Sequence, residues 1–189
     1  MGFQPEPEHN LGNLPKISEK NIGDGLKGNL DTIKFMKKVA RIRVSDPIIR
    51  KLALNILLKY RVPSNYYVDE ALAIGDYVKE KVRYVRDPDG VEYLQDPVDM
   101  VKNIRDGTAQ GDCDDMALLA ATLLLSIGHQ PYFRAVRYAG SFGNFNHIYV
   151  VDYDRNPYKQ KLRIVLDCIL KDKQIGFEIK HSSGEEYEV

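Results

Sequence analysis

From Met116 to Ile127 the sequence reads Met-Ala-Leu-Leu-Ala-Ala-Thr-Leu-Leu-Leu-Ser-Ile, apolar at nearly every position and closed by Gly128. A helix with one wet face cannot carry this pattern, because its polar positions would recur every three to four residues. The segment therefore describes a helix surrounded by protein on all sides. It is also far short of the roughly 20 apolar residues that span a bilayer, so it is the centre of a globular core and not a membrane segment. Gly128, with Pro131 close behind, supplies its stop.

Amphipathic helices should surround it. Ile48, Ile49, Leu52, Ile56 and Tyr60 recur at helical spacing after Ser45, a suitable cap. Ser64 opens a second helix whose stripe runs through Tyr67, Ala71, Ile74, Val78, Val82 and Val85 to the turn Asp87-Pro-Asp-Gly90. That turn has the first ligands of a calcium loop but not the later ones. Asp96 to Gly107 reads as a short helix, and a further helix covers roughly Leu30 to Val39. Beyond Gly128 lie three β-like runs, Pro131 to Tyr138, Phe145 to Tyr153 and Lys161 to Ile169, with a short strand expected at Ile175 to Ile179. Helices first and strands after predict an α+β fold with an antiparallel sheet.

The 189 residues suit one domain over 30–180, with an irregular arm at 1–29 and a polar C-terminal tail at 181–189. The arm contains Gly23-Asp-Gly-Leu-Lys-Gly28, a G-x-G-x-x-G without the preceding strand that a dinucleotide site requires. No cofactor is expected. Lys plus Arg at 27 balance Asp plus Glu at 27, which argues against a nucleic-acid partner. Two cysteines and a polar N-terminus point to a reducing, cytoplasmic setting, and oligomeric state is left open.

The chemistry gathers at Gly111-Asp-Cys-Asp-Asp115. Cys113 falls in the first turn of the central helix, where unpaired N–H groups and the positive end of the dipole favour a thiolate. Asp112 can cap that helix, and Asp114 and Asp115 complement its dipole, but carboxylates beside a thiol oppose its ionisation. His147 is the histidine inside a strand, sharing a face with Tyr149, Val151 and Tyr153. A hairpin centred on Pro157 sets it directly opposite Asp167, close enough for the carboxylate to hold the ring. Nucleophile, base and orienter are thus all present. A metal site built from Cys113, His147 and the aspartates lacks any close-spaced ligand pair, so no metal is expected. A Cys113–Cys168 disulfide is disfavoured because Cys168 faces away from the Asp167 side of its strand.

Taken in order, Gly111-Asp-Cys-Asp-Asp-Met-Ala-Leu-Leu119, the helix end at Gly128, Asn146-His-Ile-Tyr-Val150 and Ile164-Val-Leu-Asp167 resemble the transglutaminase-like branch of the papain-like cysteine enzymes. The resemblance covers roughly residues 66 to 170. It implies a Cys-bearing helix packed on an antiparallel sheet, with Cys113 as nucleophile, His147 as general base and acid, and Asp167 as orienter. It further implies acyl transfer on a peptide or protein substrate. The Cys113 backbone N–H is the natural oxyanion donor, with Gln110 and Tyr93 as candidates for the second. Large calcium-dependent crosslinking members carry extra β domains for which this length leaves no room. The absence of Trp removes any indole donor and favours hydrolysis over crosslinking. Small members occur in bacterial and phage proteins, so a non-enzymatic, virion-type structural module is the alternative.

Overall fold

The computed structural model describes residues 26–88, 93–140, 145–154 and 162–189. Five helices precede the main sheet: α1 (Leu26–Arg43), α2 (Pro47–Tyr60), α3 (Tyr67–Lys81), α4 (Pro97–Asp106) and α5 (Cys113–Ser126). Two two-residue strands, β1 (Arg83–Tyr84) and β2 (Gln110–Gly111), pair in parallel. The main sheet comprises β3 (Tyr132–Tyr138), β4 (His147–Tyr153), β5 (Arg163–Leu166) and β6 (His181–Glu188) in the order β5-β4-β3-β6, all antiparallel. This is the α+β layout expected from the sequence. Among the described residues no helix is long and apolar enough to cross a membrane.

Helix α5 is the hub, touching α1, α2, α3, α4 and β4. Every residue from Asp115 to Leu124 is buried, and each fully buried leucine contributes about 1.5–3 kcal/mol through water exclusion. Its two buried hydroxyls are satisfied within the helix, Thr122 Oγ1 donating to Leu118 O at 2.7 Å and Ser126 Oγ to Leu123 O at 2.7 Å. Arg50 of α2 donates to Ser126 O at 2.9 Å, giving a partner to one of the carbonyls left open at the helix end. Asp96 caps α4 by accepting from Val98 N at 2.8 Å and also binds Arg43 at the end of α1, tying those helices together. Gly107 closes α4 in the left-handed region at φ 72°, where glycine carries no Cβ penalty.

Several boundaries differ from expectation. Helix α1 extends well beyond 30–39 at both ends. Asp46, not Ser45, caps α2, its carboxylate accepting from Ile48 N at 3.0 Å. Helix α3 begins at Tyr67 rather than Ser64 and stops at Lys81, because Val82 turns extended and the chain pairs with β2 instead of continuing the apolar stripe to Val85. No strand forms at 175–179. The polar segment 181–189 is not a tail: its backbone pairs along β3 as the edge strand β6. Residues 1–25 of the expected arm, with the first half of the G-x-G-x-x-G, lie outside the described residues.

The β4–β5 register also differs. Val150 pairs with Leu166 and Val151 with Val165, two residues away from the arrangement that would oppose His147 to Asp167. Extended, that register sets Tyr149 opposite Asp167 and leaves His147 as the diagonal neighbour, still within reach of a long side chain.

The two faces of the sheet do different work. Phe133, Ala135, Ile148, Val150, Ile164 and Leu166 join the core beneath the helices. Val136, Tyr149, Val151 and Val165 form a smaller cluster on the other face. Between β5 and β6 the chain passes from one edge of the sheet to the other. Glu178 in that crossing accepts from Arg163 Nη1 and Nη2 at 2.8 Å each and from the Tyr149 hydroxyl.

Candidate active site

The mouth of α5 is built by its aspartates. Asp112 is the N-cap, its Oδ1 accepting from Asp114 N at 3.0 Å and Asp115 N at 3.4 Å, while Asp115 Oδ2 accepts from Asp112 N at 3.3 Å. This reciprocal box satisfies the N–H groups of Asp112, Asp114 and Asp115. Asp115 is 1% exposed and also receives Gln95 N and Gln95 Nε2 at 2.7 Å each. Burial is the largest influence and pushes its carboxyl up to about 6 despite those bonds. Gly111 is required by close approach, since a Cβ there would lie 2.6 Å from Asp115 Oδ2.

Cys113 is therefore the first residue of α5, with its direction fixed by the cap. Its thiol donates to Asp114 Oδ1 at 3.2 Å. A backbone hydrogen bond from Ile148 stabilises the ionised form, but burial first, then the charges of Asp114 and Asp112, hold the thiol well above its usual range. Of the opposing influences read from the sequence, burial and the neighbouring carboxylates outweigh a helix dipole worth typically 0.3–1 kcal/mol. With its pKa raised, the Cys113 thiol is neutral near pH 7.

Ile148 is the residue after His147, so the sulfur sits against the start of β4. His147 and Asp167 are each 4% exposed, and the ring Nε2 lies 2.8 Å from Asp167 Oδ2. Asp167 follows the end of β5 and also accepts from Ile169 N at 3.3 Å. Tyr138 stacks on the imidazole with ring centres 5.1 Å apart and planes 25° from parallel. The phenol lies within electrostatic reach of Asp167 and Cys113. Cys113, His147 and Asp167 thus meet in one region, joined through Ile148 and Tyr138.

The remaining sequence candidates stand differently. Gln110 lies in β2, and its side-chain oxygen accepts from Arg83. Tyr93 is 60% exposed, with its backbone N–H donating to Asp87 Oδ2. Gln110 is near Cys113 in the chain, and the Gln110 side chain and the Tyr93 backbone each have a partner other than the thiol. Cys168 is buried, unpaired with Cys113, and directed at Gly75 O at 3.6 Å. Asp112, Cys113 and Asp114 each place one ligand atom within 4.8 Å of the others, but Asp112 is engaged as the cap and the thiol is protonated.

Sequence reasoning missed three participants. Gln95, which clamps Asp115, carries no signal of its own. Tyr138 was legible as a strand residue but not as the partner of a ring nine residues away. A second histidine site also went unread. His129 is buried at the far end of α5, with Nδ1 2.5 Å from Asp152 Oδ2, Nε2 3.0 Å from Glu70 Oε2, and Tyr67 stacked at 3.7 Å. At 1.5 Å per residue, the 14 residues of α5 set it about 20 Å from Cys113, outside the reach of the thiol.

No protein-family model and no curated protein matches the chain. Among solved structures it is similar to a candidate cysteine protease from Cytophaga hutchinsonii, with 17% identity and a TM-score of 0.43 over 72% of this chain and 42% of that one. It is similar to LapG of Legionella pneumophila, with 17% identity and a TM-score of 0.44 over 81% of this chain and 87% of that one. A candidate protease from Parabacteroides distasonis gives 15% identity and a TM-score of 0.46 over 79% of this chain and 30% of that one. The chain thus spans less than half of the first and third. These are partial likenesses, and the chemistry rests on the residues themselves.

Proposed function

We propose that this chain is a cysteine-dependent acyl-transfer enzyme that hydrolyses a peptide, isopeptide or related amide bond, with Cys113 as nucleophile, His147 as base and acid, and Asp167 as orienter. The observation that carries the reading is the buried His147–Asp167 hydrogen bond at 2.8 Å beside a thiol held at Ile148. Because Asp167 takes the Nε2–H, the Nδ1 lone pair is the basic atom. Nδ1 accepts the thiol proton as Sγ bonds to the carbonyl carbon, so a neutral resting thiol is activated during attack rather than beforehand. The oxyanion is met by the Cys113 N–H, which is open at the first helical position. Its collapse breaks the C–N bond, and Nδ1–H protonates the leaving amine. Water then attacks the thioester, giving its proton to Nδ1, and release of the carboxylic acid restores the thiol.

A non-catalytic binding or structural module is the second reading, favoured by the raised thiol. One experiment separates them. Iodoacetamide near neutral pH should modify Cys113 faster than Cys168, and a panel of fluorogenic amides should be turned over by the protein but not by Cys113→Ala. Equal, slow labelling of both cysteines in the folded chain, with no turnover, would leave the module reading in place.

A further inference from the structure

A second oxyanion donor is missing from that scheme, and strand β1 supplies one that the sequence did not suggest. Two bonds pin β1 to β2: Arg83 N–H to Ala109 O at 3.0 Å and Val85 N–H to Gly111 O at 2.9 Å. Tyr84 is thereby set level with Gly111, two residues before Cys113. The Arg83 side chain reaches the Gln110 side chain, so residues 83 and 110 share one face of this small sheet. Tyr84 and Gly111 occupy the other face. That face is the one against the first turn of α5, because a side chain on Gly111 would run into Asp115. The space beside Gly111 is filled by Asp115, so Tyr84 shares its face with the first turn of the helix.

The phenol lies in the field of Cys113, Asp112 and Asp114, and Tyr84 is 41% exposed. It is thus beside the nucleophile and open to solvent. Burial, then the charge a Cys113 thiolate would carry and the Asp112 and Asp114 carboxylates, raise its pKa above the usual tyrosine value, so it is an O–H donor throughout the neutral range. Among the described residues no hydrogen bond occupies this hydroxyl. Gln110, by contrast, is tied to Arg83 on the opposite face.

We propose that the Tyr84 hydroxyl is the second oxyanion donor, its O–H directed at the substrate carbonyl oxygen as Cys113 attacks, paired with the Cys113 N–H. The assignment rests on the cysteine chemistry proposed above, and it adds a catalytic residue outside the Cys–His–Asp set. No covalent change occurs at Tyr84: the bond strengthens as charge builds on the oxygen and weakens when the carbonyl re-forms.

The test compares reactions that build an oxyanion with one that does not. Tyr84→Phe keeps the ring and removes the donor. Amide turnover should fall about 10²–10³-fold in kcat with KM little changed, the loss seen when an oxyanion donor is removed. Binding of N-acetyl-phenylalaninal, an aldehyde that forms a tetrahedral adduct on a thiol, should weaken sharply. Alkylation of Cys113 by iodoacetamide passes through no oxyanion and should keep its rate within about twofold. Turnover and aldehyde binding unchanged in Tyr84→Phe would overturn the assignment while leaving the cysteine reading intact. A parallel fall of alkylation and turnover would also overturn it, by showing that Tyr84 acts on the thiol or the fold. A wild-type chain whose Cys113 neither labels nor binds the aldehyde would remove both proposals together.

Discussion

Replacing Asp114 by Asn tests the claim that, after burial, a neighbouring charge holds the Cys113 thiol neutral against the pull of the helix start. The substitution keeps an oxygen to accept the thiol S–H and removes only the negative charge. With sulfur and Oδ1 3.2 Å apart, repulsion between a thiolate and this carboxylate is about 1.3 kcal/mol at the dielectric of water and about 5 kcal/mol at an effective dielectric of about 20. Asp114 is half-buried, so the lower part of that range applies, equivalent to a fall of about one to two pH units in the thiol midpoint. The thiolate fraction near neutral pH rises about 10- to 100-fold, while each thiolate becomes a weaker nucleophile, since reactivity falls with basicity at a slope of about 0.4–0.5. The net gain in labelling rate is roughly 3- to 10-fold. The assay is the pH profile of iodoacetamide labelling, read at Cys113 by mass spectrometry, with buried Cys168 as internal control. A midpoint that stays put or moves upward would refute the electrostatic argument.

Three further outcomes follow from the same structure. Asp167→Asn removes the carboxylate that fixes the His147 ring and should lower kcat by about 10²–10⁴-fold with the circular-dichroism spectrum unchanged; a loss below tenfold would exclude an orienting role. Asp115 should give stability a downward slope with rising pH. Its folded value of about 6 exceeds the ordinary aspartate value of 3.8, so the folded state binds the proton more tightly, and roughly 3 kcal/mol of its contribution is lost between about pH 4 and 6. Urea midpoints across that window should show the slope in the wild type and its absence in Asp115→Asn. Gly111→Ala should destabilise by about 1–3 kcal/mol, because the new methyl must displace an Asp115 held by three hydrogen bonds; a melting temperature equal to wild type would mean the helix mouth is slacker than described.

What could be read from the sequence divides along physical lines. Helix α5 was legible because an all-round apolar segment has no other home, and Asp112, Asp96 and Gly107 were legible as helix punctuation because caps act locally. His147 and Asp167 were found by alternation, which survives an error of two in register; their pairing was right although the register was not, since the turn that sets it carries no hydrophobic pattern. Strand β6 was hidden for the opposite reason. Its His-Ser-Ser-Gly-Glu-Glu-Tyr-Glu sequence has no apolar alternation, and the strand exists through backbone pairing to β3. Strand β1, at two residues, is too short to show any period. The protonation of Cys113 was beyond reach as well, because it turns on how closely packing brings the carboxylates and core to the sulfur.

Ile148 belongs to two mechanical parts at once. Its side chain keys into the core under α5, its main chain touches the sulfur, and the imidazole is carried by the preceding residue. Thiol and imidazole therefore ride on different slabs of the molecule, and the spacing between them is a shear coordinate of helix against sheet. Trimming one methylene at that seam, as in Ile148→Val, would detune the pair while leaving each slab whole.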